Sequence, residues 1–205
     1  MLFSQTNSDE IADAIFENIK TRRSVRKFKP TPVPDKDIRK IIDAARMAPT
    51  SGNQQPWKFL VLREKSSIAA LKDATIENAL EYYESNPDVA ESEEAFRKRV
   101  ESMADAYFSA PVYIVVLTDN NSKYASYNDK DGPLAAGFLL LAARALGYGT
   151  VFITDSIPES VTKAVLNIPD HYTRVCITPV GLPEEWPETP EKKALDEFIA
   201  YETLG

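Results

Sequence analysis

A fold of mixed helices and short strands is predicted for this chain by three observations. Four short runs are rich in β-branched and aromatic residues, apolar residues recur every third or fourth position between them, and no repeat, low-complexity tract or long linker interrupts the series. A length of 205 residues suits one domain, or one subunit of an oligomer, with room for a proper core, so residues 1–205 are expected to form a single unit.

Taken in order, Ser8 is placed to cap a first helix in which Ile11, Ile15 and Ile19 recur every four residues. This helix gives out where Arg22-Arg23-Ser24-Val25-Arg26-Lys27-Phe28 begins. A second helix is predicted from Pro34 and Asp35, with Ile38, Ile41, Ile42 and Ala45 on one face and Pro49 as its stop. The run Ala48-Pro49-Thr50-Ser51-Gly52-Asn53-Gln54-Gln55-Pro56-Trp57 is therefore a loop that leads into a strand, with the Trp57 indole in the core. Strands are expected at 59–62, 112–118, 151–154 and 174–178. Residues 66–108 read as two exposed helices broken at 85–87, with Phe96, Val100, Met103 and Tyr107 along one stripe; ordinary packing helices are favoured over a lid. Residues 132–147 are apolar nearly all round, with Arg144 the sole charge. A helix without a polar face must be covered on every side, which assigns it both to the domain centre and to a subunit interface.

Composition bounds the function. With 43% hydrophobic and 27% charged residues the chain is ordinary and foldable, and its longest apolar run, 134–143, is too short to cross a bilayer. Residues 1–7 hold neither a basic nor an apolar stretch and Cys176 is the sole cysteine, so a cytoplasmic protein without disulfides is expected. The net charge of -7 hides an asymmetry: residues 20–46 carry ten Lys or Arg against three Asp, which leaves the remainder at -14. An acidic surface repels nucleic acid and anionic lipid, so the basic segment suits a small anion in a pocket. Lys36, Arg39 and Lys40 read as a solvated helix face.

The two motifs carry the chemistry. Arg22, Arg23 and Arg26 offer permanently charged planar forks, and two or three charge-assisted bonds of about 1.5–3 kcal/mol each, with the Ser24 hydroxyl, hold a phosphate against water. Thr50 and Ser51 supply hydroxyls, Gly52 frees the backbone, and Asn53, Gln54 and Gln55 supply mixed donors and acceptors suited to a heteroaromatic edge. A phosphate at one end and such an edge at the other describe a phosphorylated flavin.

In order and spacing these two motifs resemble those of the nitroreductase family of FMN-dependent oxidoreductases, and the likeness runs over nearly the whole chain. Gly147-Tyr148-Gly149-Thr150 before a strand, Pro179-Val180-Gly181 after the last one, and Lys192-Lys193 ahead of Leu195-Asp196-Glu197 agree with it. The resemblance implies an α+β fold with a central mixed sheet flanked by helices, in an intertwined homodimer that shares two FMN sites. It implies Arg23 and Ser24 near the phosphate, Arg22 and Arg26 nearer the ribityl chain and pyrimidine edge, and Lys192 and Lys193 completing the phosphate grip. Pro49, Thr50, Ser51 and Asn53 would come from the partner subunit, and the backbone at Thr154 and Asp155 would lie by the flavin N5. Asp155 stands where relatives often carry glycine and is expected to narrow or charge the substrate side.

The implied activity is ping-pong: NAD(P)H passes a hydride to the flavin, leaves, and is replaced by a flat acceptor such as a nitroaromatic or quinone. No protein acid or base is required, and no catalytic side chain is assigned; Arg22 or Arg26 would supply positive charge beside the pyrimidine edge. Other chemistry on the same scaffold, reductive dehalogenation or flavin breakdown, and a non-enzymatic FMN carrier remain alternatives. Several features are set aside. Gly147-Tyr148-Gly149 precedes a strand and lacks a third glycine, unlike a dinucleotide fingerprint. His171 is the only histidine, so no metal site or triad is expected. Cys176 reads as core, and Glu91, Glu93 and Glu94 as a charged helix start.

Overall fold

Residues 5–204 are described by the structure, a computed structural model; of the amino-terminal stretch scanned for a leader, the first four residues lie outside them. The chain runs α1 (Gln5–Thr21), α2 (Asp35–Ala45), β1 (Trp57–Leu62), α3 (Lys65–Ser85), α4 (Glu93–Tyr107), β2 (Val112–Asp119), α5 (Asn128–Ala145), α6 (Glu159–Leu166) and β3 (Tyr172–Val180). The three strands form an antiparallel sheet with β2 in the middle.

β2 carries apolar residues at successive positions, and alternation sends them to opposite faces. Val112, Ile114 and Val116 join Ile38, Ile41 and Ala45 of α2 and Ala136, Leu139, Leu140 and Ala143 of α5 in one core. Tyr113, Val115 and Leu117 join Leu71 of α3, Ile168, Val25 and Phe28 in the other, with Val161 and Val165 of α6 against it. The sheet is thus the middle of three layers.

Residues 151–154 do not form the expected strand. The chain meets β3 at Ile153 with Ile177 and the residue just past it at Gly149 with Gly181; that register sets Val151 opposite Pro179, which has no N–H to donate, so the ladder is interrupted between the two bridges. The mixed character expected of the sheet resides in the parallel bridge between Ser24 and Thr150. Trp57 is half-buried at the start of β1, short of the core position expected.

α1 begins at Gln5, ahead of Ser8, so Ser8 lies within the helix; extension by polar residues costs at most about 0.7 kcal/mol each. Its Ile11, Ile15, Phe16 and Ile19 are 43–58% exposed, an apolar face without a partner among the described residues. α1 is tied to α5 by Asn18, whose amide donates to the Leu141 carbonyl at 3.0 Å, and by Arg144, whose Nε donates to the Thr21 carbonyl at 3.2 Å.

α5 starts four residues ahead of the predicted position and buries one face, including Gly132, Ala136, Leu139 and Ala143. Leu134, Phe138 and Leu146 stay exposed, so one chain covers only half of the surface expected to be covered. The helices on either side of 85–87 are as expected: α3 stops at Ser85 and Ser92 caps α4 through the Ala95 amide at 3.3 Å. Phe96, Val100 and Ala104 are buried, with Met103 and Tyr107 partly so. Beyond β3, residues 184–204 run as an exposed arm on which Leu195, Phe198, Tyr201 and Leu204 are open. Among the described residues no helix is long and apolar enough to cross a membrane.

Two outcomes follow from this packing. A Cβ at Gly132 would run into the Val175 and Thr118 side chains. Gly132→Ala is therefore expected to cost about 1–3 kcal/mol of stability, read from the midpoint of chemical denaturation; an unchanged midpoint contradicts this approach of α5 to the sheet. Burial pushes the Cys176 thiol up to about 12. A thiol reagent at pH 8 should therefore label the protein only as it unfolds, and fast labelling under native conditions would place Cys176 outside the core.

Candidate functional site

The arginine segment is held rigidly because its apolar residues are inserted while its cations are not. Val25 and Phe28 are 1% and 4% exposed, whereas Arg26 and Lys27 face outward. The Lys29 amide donates to the Leu182 carbonyl at 2.8 Å and the Glu184 amide to the Lys27 carbonyl at 3.1 Å, which pins the segment to the start of the carboxy-terminal arm.

A cavity of about 820 Å³ opens beside it, lined by Lys20, Arg22, Arg23, Ser24, Arg26 and Lys192 together with Glu17 and Glu188. None of those five cations forms an ion pair among the described residues. Arg23 braces the wall: its Nη1 donates to the carbonyls of Lys20 at 2.6 Å and Arg22 at 2.7 Å, and its Nη2 to the Thr189 hydroxyl. Arg26 donates weakly to the Ser24 carbonyl at 3.4 Å, leaving most of its fork open. Five cations against two carboxylates, with planar forks among them, fit an anion that offers several oxygens, a phosphate ester above all. Lys193, expected beside Lys192, does not line the cavity; its ammonium lies 3.8 Å from Glu197.

The amide segment is a tight turn whose backbone is unusual. Gly52, Asn53 and Gln55 take left-handed φ values of 57°, 54° and 49°. A side chain at Gly52 would also enter the Tyr124 ring, so glycine is required there on both counts. The turn is bracketed by Asp131, only 3% exposed on the first turn of α5. Its carboxylate accepts from the Ser51 amide at 3.2 Å and from Gln54 Nε2 at 2.8 Å. Gln54 is spent entirely on this bracket, since it also donates to the Tyr124 carbonyl at 3.1 Å and accepts from the Tyr124 amide at 2.7 Å. Thr50 accepts from the Gln55 amide at 3.2 Å. Pro49 and Asn53 are exposed, and Ser51 partly so, on the outer side of the turn.

Thr154 and Asp155 are exposed in the turn that follows Ile153. Arg174, on β3, shapes this turn: it donates to the carbonyls of Thr154, at 2.9 Å, and Ile157, and to the Thr162 hydroxyl at 3.0 Å. Burial lowers the affinity of this guanidinium for its proton, an effect that Glu159 opposes, and its Nε is buried without a partner.

Of the twelve residues singled out from the sequence, Arg22, Arg23, Ser24, Arg26 and Lys192 share one cavity. Pro49, Thr50, Ser51, Asn53, Thr154, Asp155 and Lys193 are not on its wall. The arginine segment is rooted in the core that contains Val115, the amide turn in the α2 and α5 side of the sheet. Asp131 and Arg174 escaped the sequence reading. A carboxylate one residue ahead of a helix apolar nearly all round was the visible signal for Asp131; Arg174 was hidden within a strand pattern. Elsewhere, Tyr148 donates to Asp37 at 2.8 Å from the Gly147–Gly149 turn, which makes that turn structural. His171 packs on the Tyr172 ring, with centroids 4.3 Å apart, and no group of three metal-ligating side chains occurs among the described residues. Glu91 and Glu93 answer Arg99 and Arg97.

Comparison with known proteins adds an independent line. A 4-nitrobenzoate reductase from Pseudomonas putida is 30% identical over 193 residues, covering 82% of this chain and 84% of that protein. An iodotyrosine deiodinase from Thermotoga neapolitana is 29% identical over 191 residues, covering 93% and 98%. In three dimensions the chain superposes on the crystal structure of an oxidized iodotyrosine deiodinase bound to FMN and 3-iodo-L-tyrosine with a TM-score of 0.75, at 24% identity over 93% of this chain and 100% of that one. The model of the nitroreductase family matches residues 19–182, which include both motifs, the whole sheet and the turn at Thr154, and on that match the chain belongs to the nitroreductase family.

Proposed function

We propose that this chain is one nitroreductase-like domain of a homodimeric, FMN-dependent oxidoreductase that takes electrons from NAD(P)H and reduces a small flat aromatic acceptor, of nitroaromatic or quinone type. The observation that carries the reading is the cavity beside the arginine segment, where five cations stand without ion-pair partners among the described residues. Like charges so close together destabilise the protein unless an anion joins them.

FMN bound there supplies two-electron transfer between a nicotinamide and an acceptor. Arg22, Arg23, Ser24 and Lys192 hold the phosphate; Lys193, turned toward Glu197, has no part in it. Arg26 and the free fork of Arg22 place positive charge along the ribityl chain and the pyrimidine edge, where charge collects on reduction. Pro49, Thr50, Ser51 and Asn53 of the partner subunit border the ring, and the turn at Thr154 and Asp155 borders its N5 side. No side chain is assigned as an acid, base or nucleophile; the chain binds, orients and neutralises.

A second subunit is supported by the apolar faces that one chain leaves open: Ile15 and Phe16 of α1, Phe138 of α5, and Leu195 and Phe198 of the arm. It is supported too by the separation of the two motifs within one chain, since an amide turn off the wall of the arginine cavity, if it borders a flavin, borders a neighbour's. Reductive dehalogenation on the same scaffold is the second reading, favoured by the deiodinase relative that aligns over nearly its full length. Slow reduction of the bound flavin by both NADH and NADPH, with turnover of a halogenated phenol, would select it.

The freshly purified protein should be yellow, and its flavin should bleach on anaerobic addition of NADH or NADPH and recolour with a nitroaromatic or quinone. Arg22→Ala should weaken FMN binding about ten- to a hundredfold, the equivalent of one or two lost charge-assisted bonds, with the melting curve of the apoprotein unchanged. Full flavin content after extensive dialysis would remove the arginines from the site. Sedimentation should give a dimer, and Phe138→Asp should yield a monomer that has lost its flavin; a monomer that keeps it contradicts shared sites.

A further inference from the structure

The end of α4 meets the arginine segment through contacts that the proposed function does not use. The Arg26 guanidinium carbon lies 5.9 Å from the centre of the Tyr107 ring. The Ser109 hydroxyl lies 3.2 Å from the Arg26 carbonyl. The main chain at Tyr107 is anchored, because its carbonyl accepts from the hydroxyl of the fully buried Tyr113 at 2.8 Å, and that same hydroxyl accepts from the Ala110 amide at 3.0 Å. Ser156, and to a lesser degree Arg26, hold the pKa of the Tyr107 phenol below the ordinary tyrosine value, against the opposing effect of burial. One aromatic ring, carried by the last residue of α4, therefore faces the guanidinium of the arginine segment.

We propose that Tyr107 is a positioning residue that holds the Arg26 guanidinium in place, so that the arginine segment is braced by the end of α4. The proposal deepens the function given above and rests on it, because Arg26 matters to catalysis only if it faces the flavin. A cation over an aromatic face contributes about 0.5–1 kcal/mol at an exposed site, and the charge of a guanidinium that near also attracts the phenol oxygen. Arg26 has little else to orient it, since its only described hydrogen bond is the 3.4 Å contact to the Ser24 carbonyl.

The test uses the FMN-loaded protein and reads the FMN dissociation constant and the midpoint potential of the bound flavin, with a thermal melt as the control for folding. Tyr107→Leu should weaken FMN binding about two- to fivefold, the scale of one cation–aromatic contact, and make the flavin harder to reduce. Tyr107→Phe, which keeps the ring and loses the hydroxyl, should give a smaller change of the same sign and covers the case in which the leucine variant fails to fold. In an Arg26→Ala background Tyr107→Leu should change neither quantity further, because it acts through the arginine. Additive effects, or Tyr107 variants that bind FMN with native affinity and potential, overturn the proposal. A native protein that binds no FMN overturns the proposed function itself, an outcome distinct from unaltered variants of a flavin-binding protein.

Discussion

Burial of β2 on both faces is the constraint from which the rest of the structure descends. Its first seven residues are all buried, so helices must cover the sheet on either side, and the chain has to cross between layers to supply them. Those crossings are where the polar motifs lie. The arginine segment follows α1 and inserts Val25 and Phe28 into one core; the amide turn follows α2 and is clasped by a carboxylate on α5 in the other. The same strand that stabilises the fold therefore separates the two motifs.

Each motif is held by means suited to its chemistry. Cations cannot be gathered by attraction to one another, so the arginine segment is fixed by backbone hydrogen bonds to Thr150 and Leu182 and by two apolar plugs, and its charges are carried passively to a common wall. The amide turn, with three residues in left-handed conformations, would relax if left to itself. Asp131 prevents this by accepting from one backbone amide and one carboxamide while shielded from water, where such bonds are strongest. Gln54 is thereby converted from an apparent ligand group into scaffold.

Local signals made much of this legible in the sequence. The four-residue spacing of isoleucines marked α1, Pro34 and Pro49 bounded α2, and the break at 85–87 separated α3 from α4, because each is decided within a few residues. The two motifs were legible because charge density and turn chemistry are compositional. What escaped depends on neighbours distant in the chain. Residues 151–154 look like a strand, yet Val151 falls opposite Pro179, which cannot donate, and the ladder fails. Arg174 is an unremarkable strand residue until α6 folds over it, and Asp131 acquires a role only once a turn 80 residues earlier arrives. Lys192 and Lys193 are adjacent in sequence, but only one reaches the cavity, since successive residues of an extended arm point to opposite sides.

The apolar faces left open by one chain and the proposed ligand site belong to the same physical problem. Ile15, Phe16 and Phe138 are already about half covered, so completing their burial is worth roughly 0.7–1.5 kcal/mol apiece, and several such residues together favour association. Neutralising a cluster of cations needs an anion, and a flavin phosphate alone would leave its ring uncovered. In the proposed dimer one event answers both needs: the faces of α1 and α5 are covered as the partner's amide turn arrives at the ring. Assembly and cofactor binding are then thermodynamically linked, each strengthening the other by the same factor. In the same proposal Tyr107 adds a local link, since its ring faces Arg26 from the end of α4, and α4 pairs with α3 through the tilted stack of Tyr83 and Phe96. The position of Arg26 would then depend on that helix pair through a single ring.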